Sequence, residues 1–154
     1  MPNLVTQLQQ VLERHGLQGR QLEVQISEDS LMSNLEASAK QLKLLRRIGV
    51  RIALDDFGSG QCSLAHLRDL AFDTLKLDPQ LVARLPGSVR DAAMARSIIE
   101  LCGHFEVVVV AEGVETQEQA QWLKAQGCPY IQGPWAAQPL MAEEVVDWAR
   151  ARVR

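Results

Sequence analysis

Two adjacent aspartates, Asp55 and Asp56, close an apolar run and open onto Phe57-Gly58-Ser59-Gly60. The run Val50-Arg51-Ile52-Ala53-Leu54 reads as a buried strand and the glycines as a tight turn. Two like charges at a strand end repel each other unless an opposite charge lies nearby. A divalent cation is the simplest such partner, because Mg²⁺ and Mn²⁺ take hard oxygen ligands. The competing reading is that the pair only caps the helix that follows.

More polar residues stand at or just past the ends of other apolar runs. They are Gln25 and Glu28, Lys76, Glu112 and Glu115, and Gln132. Each has a plain structural reading taken singly. Glu112 and Glu115 could be helix N-terminal charges, Lys76 could pair with Asp78, and the two glutamines could bond neighbouring backbone. Five successive strands that deliver carboxylate, amide or ammonium to one rim read together as a site. In parallel α/β folds, active sites are built at that rim.

The elements that must position these residues alternate. Leu4, Leu8, Val11 and Leu12 have helical spacing and Gly16 closes the helix. Leu22–Ser27 alternates as a strand, and Ser33-Asn34-Leu35-Glu36 reads as a capping box for a helix ended by Gly49. After the aspartate strand come a short helix (Leu64, Leu67, Leu70) and a strand, Thr74–Leu77. A helix from about Asp91 to Cys102, closed by Gly103, leads to Val107–Ala111, whose wholly apolar sequence predicts burial on both faces. Thr116-Gln117-Glu118-Gln119 is a second capping box, with its helix stopped by Gly127. Tyr130-Ile131-Gln132 is a short fifth strand, and Glu143 and Glu144 open a final helix where the dipole favours negative charge. Strand–helix alternation predicts a parallel sheet in a single domain.

The 154 residues suffice for one core, with 47% hydrophobic and 23% charged residues. A net charge of −3 and the lack of a basic stripe argue against a nucleic-acid polymer as partner. The N-terminus carries no secretory pattern, and no apolar run approaches bilayer length. Cys62, Cys102 and Cys128 are odd in number and widely spaced, which predicts reduced thiols in a cytoplasmic protein. His15, His66 and His104 read as surface or packing residues. Of the tryptophans, only Trp135 lies near enough to Gln132 to be considered for ligand contact.

Asp55-Asp56-Phe57-Gly58-Ser59-Gly60, Leu75-Lys76-Leu77-Asp78, Ala111-Glu112-Gly113-Val114-Glu115-Thr116 and Gln132-Gly133, with Pro139-Leu140 behind, stand in order. This set resembles the EAL-domain cyclic di-GMP phosphodiesterases of bacteria, from about Leu4 to the chain's end. The resemblance implies a TIM-like (β/α) barrel that uses two Mg²⁺ or Mn²⁺ ions to open cyclic di-GMP to linear pGpG. It implies that Asp55 bridges the metals, Asp56 binds one of them, and Lys76 orients the attacking water. Glu112 would bind metal or its water, Gln132 would hold water, and Glu28 and Glu115 would brace the loop after Asp56. Dimerisation through that loop and its helix is a further implication, as is linkage to GGDEF, PAS or receiver domains.

Two departures limit the transfer of activity. The family's E-x-x-E strand motif reads Gln25-Ile26-Ser27-Glu28 here, so a charged metal ligand becomes an amide. Glu23 shares Gln25's face but sits two residues deeper. A whole barrel needs about 250 residues, and no E-A-L tripeptide occurs. Residues 1–154 are therefore expected to form the C-terminal portion of an EAL domain, a partial barrel of about five parallel βα units. Open sheet edges predict a homo-oligomer or a larger multidomain protein. The expected function is an EAL domain of cyclic di-GMP signalling that is inactive by itself. The alternatives are a non-catalytic cyclic di-GMP receptor and an unrelated metal-dependent barrel or doubly wound binding protein.

Overall fold

The computed structural model describes residues 4–57 and 64–152. In chain order they form α1 (Leu4–Arg14), β1 (Glu23–Ser27), α2 (Glu28–Ser33), α3 (Leu35–Arg47) and β2 (Arg51–Phe57). Then come α4 (Leu64–Leu70), β3 (Thr74–Leu77), α5 (Pro79–Ala83), α6 (Val89–His104) and β4 (Val108–Ala111). α7 (Gln117–Ala125), β5 (Tyr130–Ile131) and α8 (Ala142–Arg152) complete the chain, and a 3₁₀ turn at Gly19–Gln21 precedes β1. The five strands make one parallel sheet in sequential order, with β1 and β5 at its edges. The parallel sheet is what the alternation predicts, and the partial α/β barrel is what the resemblance implies.

Strand alternation sorts the sheet into two faces. Ile52, Leu54, Leu75, Leu77, Val109 and Ala111 share the face that packs with Leu31, Leu42, Leu45, Val82, Ile98 and Leu123 of the helices. The register puts Gln25 beside Ala53, Ala53 beside Thr74, and Lys76 beside Val110 on the other, inner face. The expected two-sided burial of the β4 run fails here. Val108 is 39% exposed and Tyr130 60%, while Val109 and Ala111 are buried. Among the described residues nothing closes over the inner face at β4 and β5, so there only helix-facing residues are sealed.

Local chemistry shifts three expected boundaries. Asn34, not Ser33, caps α3, its side chain accepting from the Ala37 N–H; Ser33 ends α2 and donates its hydroxyl to the Ser30 carbonyl. The short helices α2 and α5 were not expected. Ser27 caps the first, accepting from the Ser30 N–H, and Asp78 caps the second, accepting from the Gln80 N–H. Gly103 does not close α6, which runs one residue further, and Glu106 takes the left-handed position beyond it at φ 57°. The capping box at Thr116 and Gln119 forms as expected.

Cys102 and Cys128 are buried free thiols, and burial pushes the Cys102 thiol up to about 11. Cys62 lies outside the described residues. Among them, no helix is long and apolar enough to cross a membrane.

Leu54 is fully buried one residue before the acidic pair. Leu54→Ala should lower unfolding free energy by about 3 kcal/mol. Val89→Ala, at an 83% exposed position, should change it by less than about 0.5 kcal/mol. Urea midpoints by circular dichroism compare the two.

Candidate metal centre at the strand ends

Adjacent residues of a regular strand point to opposite faces, so Asp55 and Asp56 could not serve one site on an undistorted β2. The strand does not stop at Leu54, as its sequence suggests, but continues to Phe57 through a break in register. Leu54 pairs with Leu75 and Phe57 with Leu77, so β2 spends one more residue than β3 over that interval. Asp56 absorbs the excess at φ 56°. That is the left-handed region, which aspartate tolerates better than most residues. The Asp56 N–H donates to Asp55 Oδ1 at 3.1 Å, fixing one carboxylate against the other's backbone. Such a bulge re-aims a side chain. Carboxylate oxygens of Asp55, Asp56 and Glu112 consequently all lie within 4.8 Å of one another.

Lys76 is 5% exposed, and its ammonium donates to Glu112 Oε1. It does not take Asp78, the partner that sequence proximity offered, because Asp78 is committed to capping α5. The β3–β4 register brings Lys76 opposite Val110, two residues before Glu112, so the ion pair closes across neighbouring strands. Burial pushes the Glu112 carboxyl up, and the charge and hydrogen bond of Asp55 add to that; Lys76 pulls the other way. Asp56 is also raised, by desolvation first and then by the charges of Asp55, Asp78 and Asp29, against a lowering by Lys76. Both shifts combine desolvation with the crowding of negative charge. A divalent cation would relieve it, and the all-oxygen donor set suits Mg²⁺ or Mn²⁺.

The remaining expected residues surround this centre unequally. Gln25 is exposed on the inner face of β1, in register with Ala53 and so one step below the Ser27–Asp55 pair. Glu23 is committed elsewhere: its carboxylate accepts from Thr74 Oγ1 at 2.6 Å, reaching past Ala53, whose small side chain leaves the space. Glu28 is 1% exposed in the first turn of α2, where the helix dipole favours its charge. Glu115 is exposed, and its N–H donates to the Gln119 side chain that also completes the α7 capping box. The loop that these two glutamates were expected to brace includes Gly58-Ser59-Gly60, outside the described residues. Gln132 is pinned by its backbone, with its N–H donating to the Ala111 carbonyl at 2.8 Å and its carbonyl accepting from Val114 at 3.0 Å. Gly133 must be glycine, since a Cβ there would meet the Val114 nitrogen and oxygen at 2.5 Å. Trp135 lines an outer groove of about 590 Å³ with Ala120, Lys124 and Ile131, none of them a rim residue. None of the three histidines joins the acidic cluster.

A partial parallel barrel with a carboxylate cluster and a buried lysine at its C-terminal rim is the class that fold and site define. The EAL domain family matches residues 1–139, and this chain belongs to that family. It is 38% identical over 149 residues to the cyclic di-GMP phosphodiesterase NbdA of Pseudomonas aeruginosa, covering 97% of this chain and 19% of that protein. It is 35% identical over 145 residues to the oxygen sensor protein DosP of Escherichia coli, covering 94% of this chain and 18% of that one. The fold superposes on the PaMucR phosphodiesterase in complex with c-di-GMP with a TM-score of 0.87 at 35% identity, over 94% of this chain and 58% of that one. Klebsiella pneumoniae BlrP1 with manganese and cyclic di-GMP gives 0.81 at 34% identity, over 86% of this chain and 34% of that one. The chain thus spans about a fifth of the length of these curated relatives.

Two predictions follow from the crowding of charge. Lys76→Met leaves the Glu112 carboxylate half-buried and unpaired, and should cost about 3 kcal/mol in urea unfolding. For Asp56, a folded pKa above the unfolded value makes ionisation unfavourable to folding. Its contribution is therefore harmless below the ordinary carboxylate range and erodes stability as pH rises through the raised folded value. Asp56→Asn, which keeps a residue tolerant of positive φ, should melt above the parent at pH 7 in EDTA. The gap should vanish near pH 4, and added Mn²⁺ should raise the parent's melting temperature more than the variant's. Thermal melts across that pH range check all three.

Proposed function

We propose that residues 1–154 are the C-terminal portion of an EAL domain of cyclic di-GMP signalling, built to hold divalent metal for hydrolysis of a 3′–5′ phosphodiester to pGpG. We further propose that the chain is inactive by itself. The observation that carries the metal reading is the convergence of Asp55, Asp56 and Glu112 within 4.8 Å at the strand ends. Complexes of Klebsiella pneumoniae BlrP1 with manganese or calcium and cyclic di-GMP support divalent metal as the resident ion.

In this reading Asp55 and Asp56 would supply the negative charge that holds divalent metal, and the bulge sets the placing of the two carboxylates. The ions would activate water and neutralise phosphate charge. Glu112 takes its place in the same shell with one oxygen held by Lys76. The Lys76 ammonium, locked at the rim by that bond, orients a water and screens charge developing on the phosphate. Gln132 presents an amide to the same water layer from a fixed backbone. Glu28 and Glu115 brace the segment after Asp56. The inner face is uncovered at β4 and β5. A substrate bound there would remain solvated, which weakens every electrostatic contact and supports inactivity of the isolated chain.

Gln25 favours a second reading, a receptor that binds cyclic di-GMP without turnover, because an amide weakens metal binding and leaves nucleotide contacts untouched. Calorimetric titration of cyclic di-GMP into the purified chain, with and without Mn²⁺, separates the two when the same samples are assayed for pGpG. Metal-dependent binding without product is expected. Product formed by the chain alone would refute its inactivity, and tight binding indifferent to Mn²⁺ would favour the receptor.

A further inference from the structure

We propose that Gln119 is a positioning residue, whose buried amide ties the loop bearing Glu112 to α5 and so holds Glu112 against Lys76. The inference rests on the metal reading above and adds to it the device that sets one carboxylate in place. The β3–β4 ladder ends at the pair Leu77–Ala111, one residue before Glu112. No pairing with β3 reaches Glu112, yet Glu112 closes an ion pair with Lys76. Contacts outside the sheet must therefore fix the segment from Glu112 to Thr116.

Gln119 does so from the first turn of α7, where it is 6% exposed. Its side-chain oxygen accepts from the Glu115 N–H at 2.8 Å and the Thr116 N–H at 3.1 Å. Its side-chain nitrogen donates to the Val82 carbonyl of α5 at 3.3 Å. Two donors on one side and an acceptor on the other are what an amide satisfies and a carboxylate or thioether does not. The Thr116 hydroxyl, by contrast, accepts only the Gln119 backbone N–H, at 3.2 Å, and so serves α7 alone. A second contact joins the same two segments. Gly113 takes φ 68°, and a Cβ there would meet the Pro79 Cβ at 2.8 Å, so the loop backbone lies directly on the first residue of α5. Pro79 follows Asp78, the α5 cap that stands two residues after Lys76. The loop is thus held against both ends of α5, while the Val114 N–H anchors it on the other side to the Gln132 carbonyl. Side chains placed behind a metal ligand in this way set its orientation and with it the affinity for the ion.

Calorimetric titration with Mn²⁺ tests this on the parent, Gln119→Met and Thr116→Val, each at a temperature where circular dichroism shows it folded. Thr116→Val removes the hydroxyl cap of α7 and keeps every bond of the amide. It should melt below the parent and bind Mn²⁺ equally well. Gln119→Met should bind about tenfold more weakly. Equal affinity in all three, or equal loss in both variants, would overturn the inference and leave the metal centre standing. Should Gln119→Met not fold, Gln119→Asn, an amide one methylene too short to span both partners, takes its place. If the parent itself binds no Mn²⁺, the metal reading fails, and a double-variant cycle with Lys76→Met in urea decides the tie. Overlapping losses in that cycle would sustain it, and additive losses would overturn it.

Discussion

The site depends on a broken alternation in one strand. A regular β2 would send Asp55 to the inner face and Asp56 into the helix layer, where an unpaired carboxylate is costly to bury. The extra residue between Leu54 and Phe57, taken up at the positive φ of Asp56, turns both carboxylates to the rim instead. Phe57 then returns to the core, 7% exposed. The strand therefore keeps its packing on both sides of the bulge, and the distortion is confined to the acidic pair.

Around that bulge the charges are arranged as a balance. Lys76 is buried only because Glu112 accepts from it, and Glu112 is tolerable beside Asp55 only because Lys76 lies against it. Lower on the inner face, Glu23 is satisfied by Thr74. The same face thus has a polar bond at its base and an anionic rim at its top, with Ala53 fully buried between. At β4 and β5 the described residues leave the face open, with Val108 and Tyr130 exposed.

Much of this was legible beforehand. The strands, their parallel order and the polar residue at each strand end followed from hydrophobic periodicity and glycine punctuation. That Asp55, Asp56 and Glu112 offer hard oxygen donors followed from residue type. Pairings were harder. Lys76 had Asp78 two positions away, yet it bonds Glu112, thirty-six residues on, because neighbouring strands outrank neighbouring residues in space. Glu23 shares Gln25's face by alternation, but only the structure shows its bond to Thr74. Ser33 and Asn34 are equally good caps in composition, and only the end of α2 decides between them. The exposure of Val108 could not be read from an apolar run, since burial depends on what covers the sheet.

The sequence by itself determined the alternation of elements, the side of the sheet on which chemistry falls, and the neutral amide at position 25, because these rest on local periodicity and residue type. Tertiary structure alone decided that Asp55 and Asp56 face the same way, that Lys76 belongs to Glu112, and that Glu23 is withdrawn from the rim. Each of those outcomes turns on register between strands distant in sequence. A single-residue slip there redirects a side chain to the opposite face.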